Sequence, residues 1–367
     1  MRRGPLPIMM HLALMALSPD KMKDILTGLH NYHHHPYKRV DALKALPCVW
    51  QSGEVRLLHA KAAQSTLKSA EDASEKAPIF IIPSFINGSE ILDLTQERSL
   101  MRWLAAQGHD CYLLDWGDLT QDKAGTSLSD LIMQRLIPAF TYVSQNHSSP
   151  PVIMGYCLGG NFALALAALK SAAFSKLILL ATPWDFHHVD NSLRPLLLGA
   201  EHNVKARASE NGAITTDYLQ SLFVQTDLAQ SAKKYAYFGG LDQNTDAAAQ
   251  FVATEDWVNG GQPIPAKLIL ECISIFYKDN VTMNSQWYIN EGGDGDTLID
   301  LTNITNSALI FTPLNDSIVP HASATALSPF LKQATRIDID TGHIGMLVGR
   351  HAKKLCWQPI LAFIKAP

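Results

Sequence analysis

Cys157 stands in the string Gly155-Tyr156-Cys157-Leu158-Gly159-Gly160, preceded by Pro151-Val152-Ile153-Met154 and followed by Asn161-Phe162-Ala163-Leu164-Ala165-Leu166. An apolar run, then G-x-C-x-G, then a helix-forming stretch reads as the strand, turn and helix of a nucleophile elbow, with Cys where Ser is usual. Small flanking glycines allow a sharp turn that pushes the side chain into a cleft at a helix N-terminus, where a thiolate is favoured. Such an elbow predicts an acid and then a histidine downstream, each on a loop after a late strand. Both are present: Ala308 to Phe311 runs into Asn315-Asp316-Ser317, and Arg336 to Ile339 runs into Gly342-His343-Ile344-Gly345-Met346.

The roles follow from the residue types. Cys157 attacks a carbonyl as thiolate, His343 takes the thiol proton and later activates a second substrate, and Asp316 orients the imidazole. The backbone N–H of Leu158, directly after the nucleophile, is one expected oxyanion donor. The other is expected from the loop Pro83-Ser84-Phe85-Ile86-Asn87-Gly88 after the apolar run Ile79 to Ile82. The remaining cysteines, Cys48, Cys111, Cys272 and Cys356, read as small buried hydrophobes. His33-His34-His35 reads as a solvated turn because three consecutive side chains do not converge on one ion. His187-His188 reads as cap surface or packing, and Asp115-Trp116-Gly117 either borders the active site or makes a structural turn.

These residues need a scaffold. Apolar runs at Ile79 to Ile82, Cys111 to Leu114, Val152 to Met154, Leu177 to Leu180, Ala308 to Phe311 and Arg336 to Ile339 alternate with helical stretches. Strands alternating with helices imply an α/β protein, a mostly parallel sheet with helices on both faces. The rhythm is lost from about Trp184 to Asn303, which reads as a cap laid over the strand ends, where open α/β sheets bind ligands. The expected division is an N-terminal helical and loop segment over 1–77, a core over 78–183 and 304–367, and a cap over 184–303. Lys61 to Lys76 is polar without periodicity and reads as an exposed loop.

The 367 residues are 47% hydrophobic and 17% charged with a formal net charge of −4, which gives no electrostatic reason to expect nucleic acid or an anionic membrane as partner. Five cysteines without a C-x-x-C pair suggest neither a disulfide framework nor a metal site, and a reducing compartment is the simple reading. Arg2 and Arg3 before Ile8 to Leu17 resemble the start of a signal peptide. His11 interrupts that stretch and Ser18-Pro19-Asp20 offers no small-residue cleavage site, so an amphipathic helix is expected. No apolar run reaches the ~20 residues that span a bilayer.

With the three residues placed, the chain resembles the poly(3-hydroxyalkanoate) synthases. The resemblance rests on the Cys157 string, on Ile91-Leu92-Asp93-Leu94 with Glu97-Arg98-Ser99-Leu100, and on Tyr112-Leu113-Leu114-Asp115-Trp116-Gly117. It also rests on Thr182-Pro183-Trp184-Asp185-Phe186, on Asp316 to Pro320 and on Gly342-His343-Ile344-Gly345-Met346. It implies the α/β-hydrolase fold with an inserted cap. It further implies polymerisation of 3-hydroxyacyl groups from coenzyme A thioesters through a Cys157 thioester, with Asp316 and His343 as partners and Leu158 and Ile86 as oxyanion donors. No cofactor or metal is implied, coenzyme A entering only as the thioester substrate. The implied partners are the growing polyester chain, a second copy in a homodimer and a second synthase subunit, in the cytoplasm or on a granule surface rather than a membrane. Ser317 stands where many members have a His, and Asn87-Gly88-Ser89-Glu90 replaces a more basic and aromatic loop. A thiol-dependent hydrolase of the same fold, a thioesterase or an intracellular polyester depolymerase, would use the same three residues with water as acceptor.

Overall fold

Each of the six apolar runs becomes a strand of one eight-stranded sheet in the computed structural model, which describes residues 19–63, 76–122, 127–290, 292 and 295–366. The strands are β1 (Cys48–Ser52), β2 (Val55–Ala60), β3 (Ile79–Ile82), β4 (Cys111–Asp115), β5 (Val152–Tyr156), β6 (Lys176–Leu180), β7 (Ala308–Pro313) and β8 (Ala334–Ile339). Their order is β1-β2-β4-β3-β5-β6-β7-β8. From β4 to β8 every pairing is parallel. β3, β5 and β7 are buried along their whole length, as uninterrupted apolar runs demand when both faces of a parallel sheet are covered. Successive side chains alternate faces: Phe80 and Ile82 join the core that holds Phe140 and Phe162, while Ile79 and Ile81 join the core that holds Leu104 and Trp357.

The reading of 1–77 as helix and loop needs correction, because β1 and β2 form a hairpin that joins the sheet antiparallel beside β4. Gly53, at φ +58°, and Glu54 make its two-residue turn. Cys48 lies exposed in this hairpin, unlike Cys111, Cys272 and Cys356, which are buried as expected. The stretch Ile8 to Leu17, and residues 64–75 of the expected polar loop, lie outside the described residues.

Five helices, Leu193–Asn211, Thr216–Val224, Leu228–Gly239, Asp246–Asn259 and Ala266–Cys272, lie between β6 and β7, where the sequence loses its βα rhythm. A helix that precedes the sheet, Met22–His34, packs on this insertion. Its Ile25 and Tyr32 share an apolar cluster with Tyr235, Phe238 and Val252, and the Tyr32 hydroxyl donates to Asp256 Oδ1 at 2.8 Å. The helix crosses Leu228–Gly239 at glycines: a Cβ on Gly28 would collide with the Tyr235 carbonyl, and one on Gly239 with the Asp24 carbonyl. Just beyond it, Arg39 donates to the carbonyls of Asp93 (2.7 Å) and Leu94 (3.2 Å), so one short segment is tied to both cap and core. His33 and His34 end the helix rather than forming a turn, His34 being exposed as expected, while His35 meets the insertion, its Nε2 2.9 Å from the Gln243 carbonyl. None of the described helices is long and apolar enough to cross a membrane.

The glycine crossing sets a prediction. Gly28→Val is expected to destabilise the protein by about 1–3 kcal/mol, the usual cost of forcing volume into a filled contact. Denaturant unfolding reads this as a lower midpoint at unchanged slope; an unmoved midpoint would contradict the close crossing.

Candidate active site

β5 ends at Tyr156, the helix Leu158–Leu169 begins at Leu158, and Cys157 is the single residue between them, at φ +55° and ψ −130°. A non-glycine residue in that region is strained and persists only where its surroundings hold it. Here the Cys157 N–H donates to the Leu180 carbonyl at 2.9 Å and its carbonyl accepts from Gly160 N–H at 2.8 Å. The flanking glycines allow the close packing that the turn needs. A Cβ on Gly155 would lie 2.6 Å from the Gly159 carbonyl, and one on Gly159 would collide with the Ile82 carbonyl and Pro83. The end of β3 therefore sits directly against the start of the helix.

Asp316 and His343 lie beyond the ends of β7 and β8. One Asp316 oxygen accepts from the backbone N–H groups of Ile318 and Val319, both at 2.9 Å, and the other lies 2.6 Å from His343 Nδ1. Burial pulls the His343 pKa down, but the Asp316 carboxylate and then the Cys157 sulfur, each also a hydrogen-bond partner, more than offset this and raise it to about 10. Asp316 and His343 are both 8% exposed, so neither charge is screened by bulk water. Tyr156, absent from the expected site, supports the imidazole: its ring lies 5.0 Å from that of His343 and its hydroxyl donates to the His343 carbonyl at 3.3 Å.

Cys157, His343, Leu158 and Ile86 line one cavity of about 150 Å³. Its far wall comes from the insertion, with Leu197, Phe223, Ile269 and Phe276. Cys272 and Tyr277 also reach it, the latter on a π-helical turn, Ile273–Lys278. Burial, with the Cys157 and Cys272 sulfurs adding to it, keeps the Tyr277 phenol protonated. Leu158 supplies the first amide of its helix, a donor that no intrahelical carbonyl takes. The Ile86 N–H instead donates to Ser84 Oγ at 3.1 Å.

Asp115-Trp116-Gly117 makes a turn and borders a separate polar cavity. The Asp115 carboxylate accepts from Gly117 N–H at 3.2 Å, and the Trp116 indole donates to the Pro83 carbonyl at 3.0 Å, bracing the loop that carries Ser84. His187 is exposed, with Nε2 3.1 Å from the Tyr277 carbonyl. Among the described residues no group of three His, Cys, Asp or Glu side chains is placed to hold a metal ion.

A strained strand-to-helix turn carrying a nucleophilic atom, over a mostly parallel sheet with an inserted cap, defines a class. The family model of the alpha/beta hydrolase fold matches residues 77–350, and the chain belongs to that family. Within it, the chain is similar to poly(3-hydroxyalkanoate) polymerase subunits. It is 25% identical to that of Haloarcula marismortui over 85% of this chain and 66% of the relative, and 27% identical to that of Thiocystis violacea over 76% and 78%. The subunit of Allochromatium vinosum is 26% identical over 77% of this chain and 78% of its own. Among solved structures, the monoacylglycerol lipase of Paleococcus ferrophilus superposes with a TM-score of 0.52 at 13% identity, covering 85% of this chain and 98% of the lipase. A hydrolase of Oleispira antarctica gives 0.51 at 10% identity, covering 90% and 98%. These two share the fold.

The Asp316 contact has a readable consequence. Replacing Asp316 with Asn removes the largest influence that raises the His343 pKa and leaves burial, which lowers it. The His343 titration midpoint is expected to fall by about 1–3 pH units in Asp316→Asn, measured by NMR of the labelled imidazole; an unchanged midpoint would remove Asp316 from its control.

Proposed function

We propose that this chain is an acyltransferase that polymerises 3-hydroxyacyl groups from coenzyme A thioesters into polyhydroxyalkanoate, with Cys157, His343 and Asp316 as its catalytic triad. The observation that carries the reading is the position of Cys157, on a strained turn beneath an apolar cap and beside an imidazole that Asp316 holds charged. Similarity to polymerase subunits over 76–85% of the chain supports the same chemistry.

In the proposed cycle the Cys157 thiolate attacks the thioester carbonyl, and coenzyme A leaves with the proton that His343 carries. One thioester replaces another, so acyl transfer costs little free energy and keeps the group reactive toward an alcohol. His343 then accepts the proton of an incoming hydroxyl as its oxygen attacks, releasing the Cys157 sulfur and forming the ester. Asp316 orients the ring and stabilises the imidazolium. The Leu158 N–H meets the oxyanion from one side, and the loop that carries Ile86 meets it from the other. Growth requires the alcohol to outcompete water, which is the task of the apolar walls contributed by the cap. Homodimer formation, a second synthase subunit and a cytoplasmic or granule-surface location belong to the same proposal.

The test is a product assay with 3-hydroxybutyryl coenzyme A, with and without an added partner subunit. Coenzyme A release accompanied by polymer is expected, with both lost about 10³-fold or more in Cys157→Ala and about 10²–10⁴-fold in Asp316→Asn. Free hydroxy acid as the sole product would replace the proposal with a thiol-dependent hydrolase.

A further inference from the structure

We propose that the Ser84 hydroxyl, rather than the Ile86 backbone amide, is the second oxyanion donor of this site; the inference rests on the acyl-transfer reading above. The Ile86 N–H is committed to Ser84 Oγ at 3.1 Å, the i to i+2 turn that serine commonly closes. An amide spent in that bond runs along the loop instead of meeting a substrate oxygen. A hydroxyl has one donor and two acceptor sites, and Ile86 fills one acceptor site. The proton of Ser84 remains, and no acceptor takes it among the described residues. Accepting the Ile86 N–H also polarises the O–H and strengthens it as a donor.

Position supports the assignment. Ser84 is half-buried and lines the cavity with Cys157 and Leu158. The two residues before it, Ile82 and Pro83, abut Gly159, which follows Leu158 in the chain. Ser84 and Leu158 therefore enter the cavity that holds the sulfur from two chain segments packed against each other. The loop is braced on three sides: Trp116 holds the Pro83 carbonyl, the Phe85 ring meets Phe162 edge-on at 6.0 Å, and Asn87 Nδ2 donates to the Val258 carbonyl at 3.3 Å. A donor on such a loop is already oriented when charge develops, so little reorganisation is needed.

As the thiolate attacks, the carbonyl π pair moves onto oxygen, which accepts hydrogen bonds from Leu158 N–H and Ser84 O–H. On collapse the pair re-forms the C=O bond while the leaving sulfur takes the proton from His343. Ser84 keeps its own proton throughout.

The experiment measures formation of the Cys157 thioester by rapid mixing and acid quench, with butyryl coenzyme A and, separately, p-nitrophenyl butyrate. Wild type, Ser84→Ala and Ser84→Thr are compared, each with its unfolding midpoint recorded. Ser84→Ala is expected to slow acylation about 10²-fold, at a half-saturating concentration within about twofold of wild type. Ser84→Thr, which keeps the hydroxyl, is expected to restore most of the rate. Acylation of Ser84→Ala at or above the wild-type rate would overturn the proposal, because deleting the hydroxyl frees the Ile86 amide and would reveal it as the donor. Acylation of wild type by the ester but not the thioester would defeat the coenzyme A reading while still ranking the Ser84 variants. No acylation by either compound would overturn both.

Discussion

The backbone turn at Cys157 is the constraint on which the rest of the site depends. A residue held at φ +55° pays a conformational cost, and the surrounding structure must impose it. The hydrogen bond from Cys157 N–H to Leu180 draws the turn onto β6. Gly159 lets the end of β3 press against the helix start. The same close packing that enforces the turn brings the loop after β3 to the cavity that holds the sulfur, so in the proposed reaction scaffold strain and donor placement have one origin. Because neighbouring parallel strands end near one another, the loops after β7 and β8 bring Asp316 and His343 to the same edge of the sheet.

The insertion supplies what the sheet cannot. An open sheet edge leaves a nucleophile in water, whereas Leu197, Phe223, Ile269 and Phe276 place apolar surface across from Cys157. The helix Met22–His34 and Arg39 clasp that insertion to the core, through the glycine crossing on one side and the Asp93 and Leu94 carbonyls on the other. In the proposed reaction, this clasp matters because choosing an alcohol over water depends on how firmly the cavity is closed.

What could be read from residue order follows physical lines. Five of the six core strands were legible because a strand covered on both faces must be apolar nearly throughout, as Ile79 to Ile82 is, whereas β8, a mostly exposed edge strand, was legible from the alternation Arg336-Ile337-Asp338-Ile339. The hairpin Cys48–Ser52 and Val55–Ala60 was not, because its composition is mixed and only Val55, Leu57 and Ala60 of it are buried; Gly53-Glu54 was the available signal. Asp316 and His343 could be found by chain order, and the structure brings His343 to Cys157 and Asp316 to His343. Tyr156, Tyr277 and Cys272 could not be assigned to the cavity, since their convergence depends on how β5 and the insertion pack. The Ile86 amide illustrates the limit of motif reasoning most sharply: position in a loop indicates which backbone is near, but the Ser84 side chain decides where that N–H points.

The central claim is that Cys157 carries the acyl group. Mixing the 367-residue chain with 3-hydroxybutyryl coenzyme A, quenching in acid and mapping peptides by mass spectrometry tests this directly. A hydroxylamine-labile 3-hydroxyacyl adduct is expected on the peptide that contains Cys157 and none on the peptide that contains Cys272. An adduct on another residue, or coenzyme A release that persists at the wild-type rate in Cys157→Ala, would contradict it.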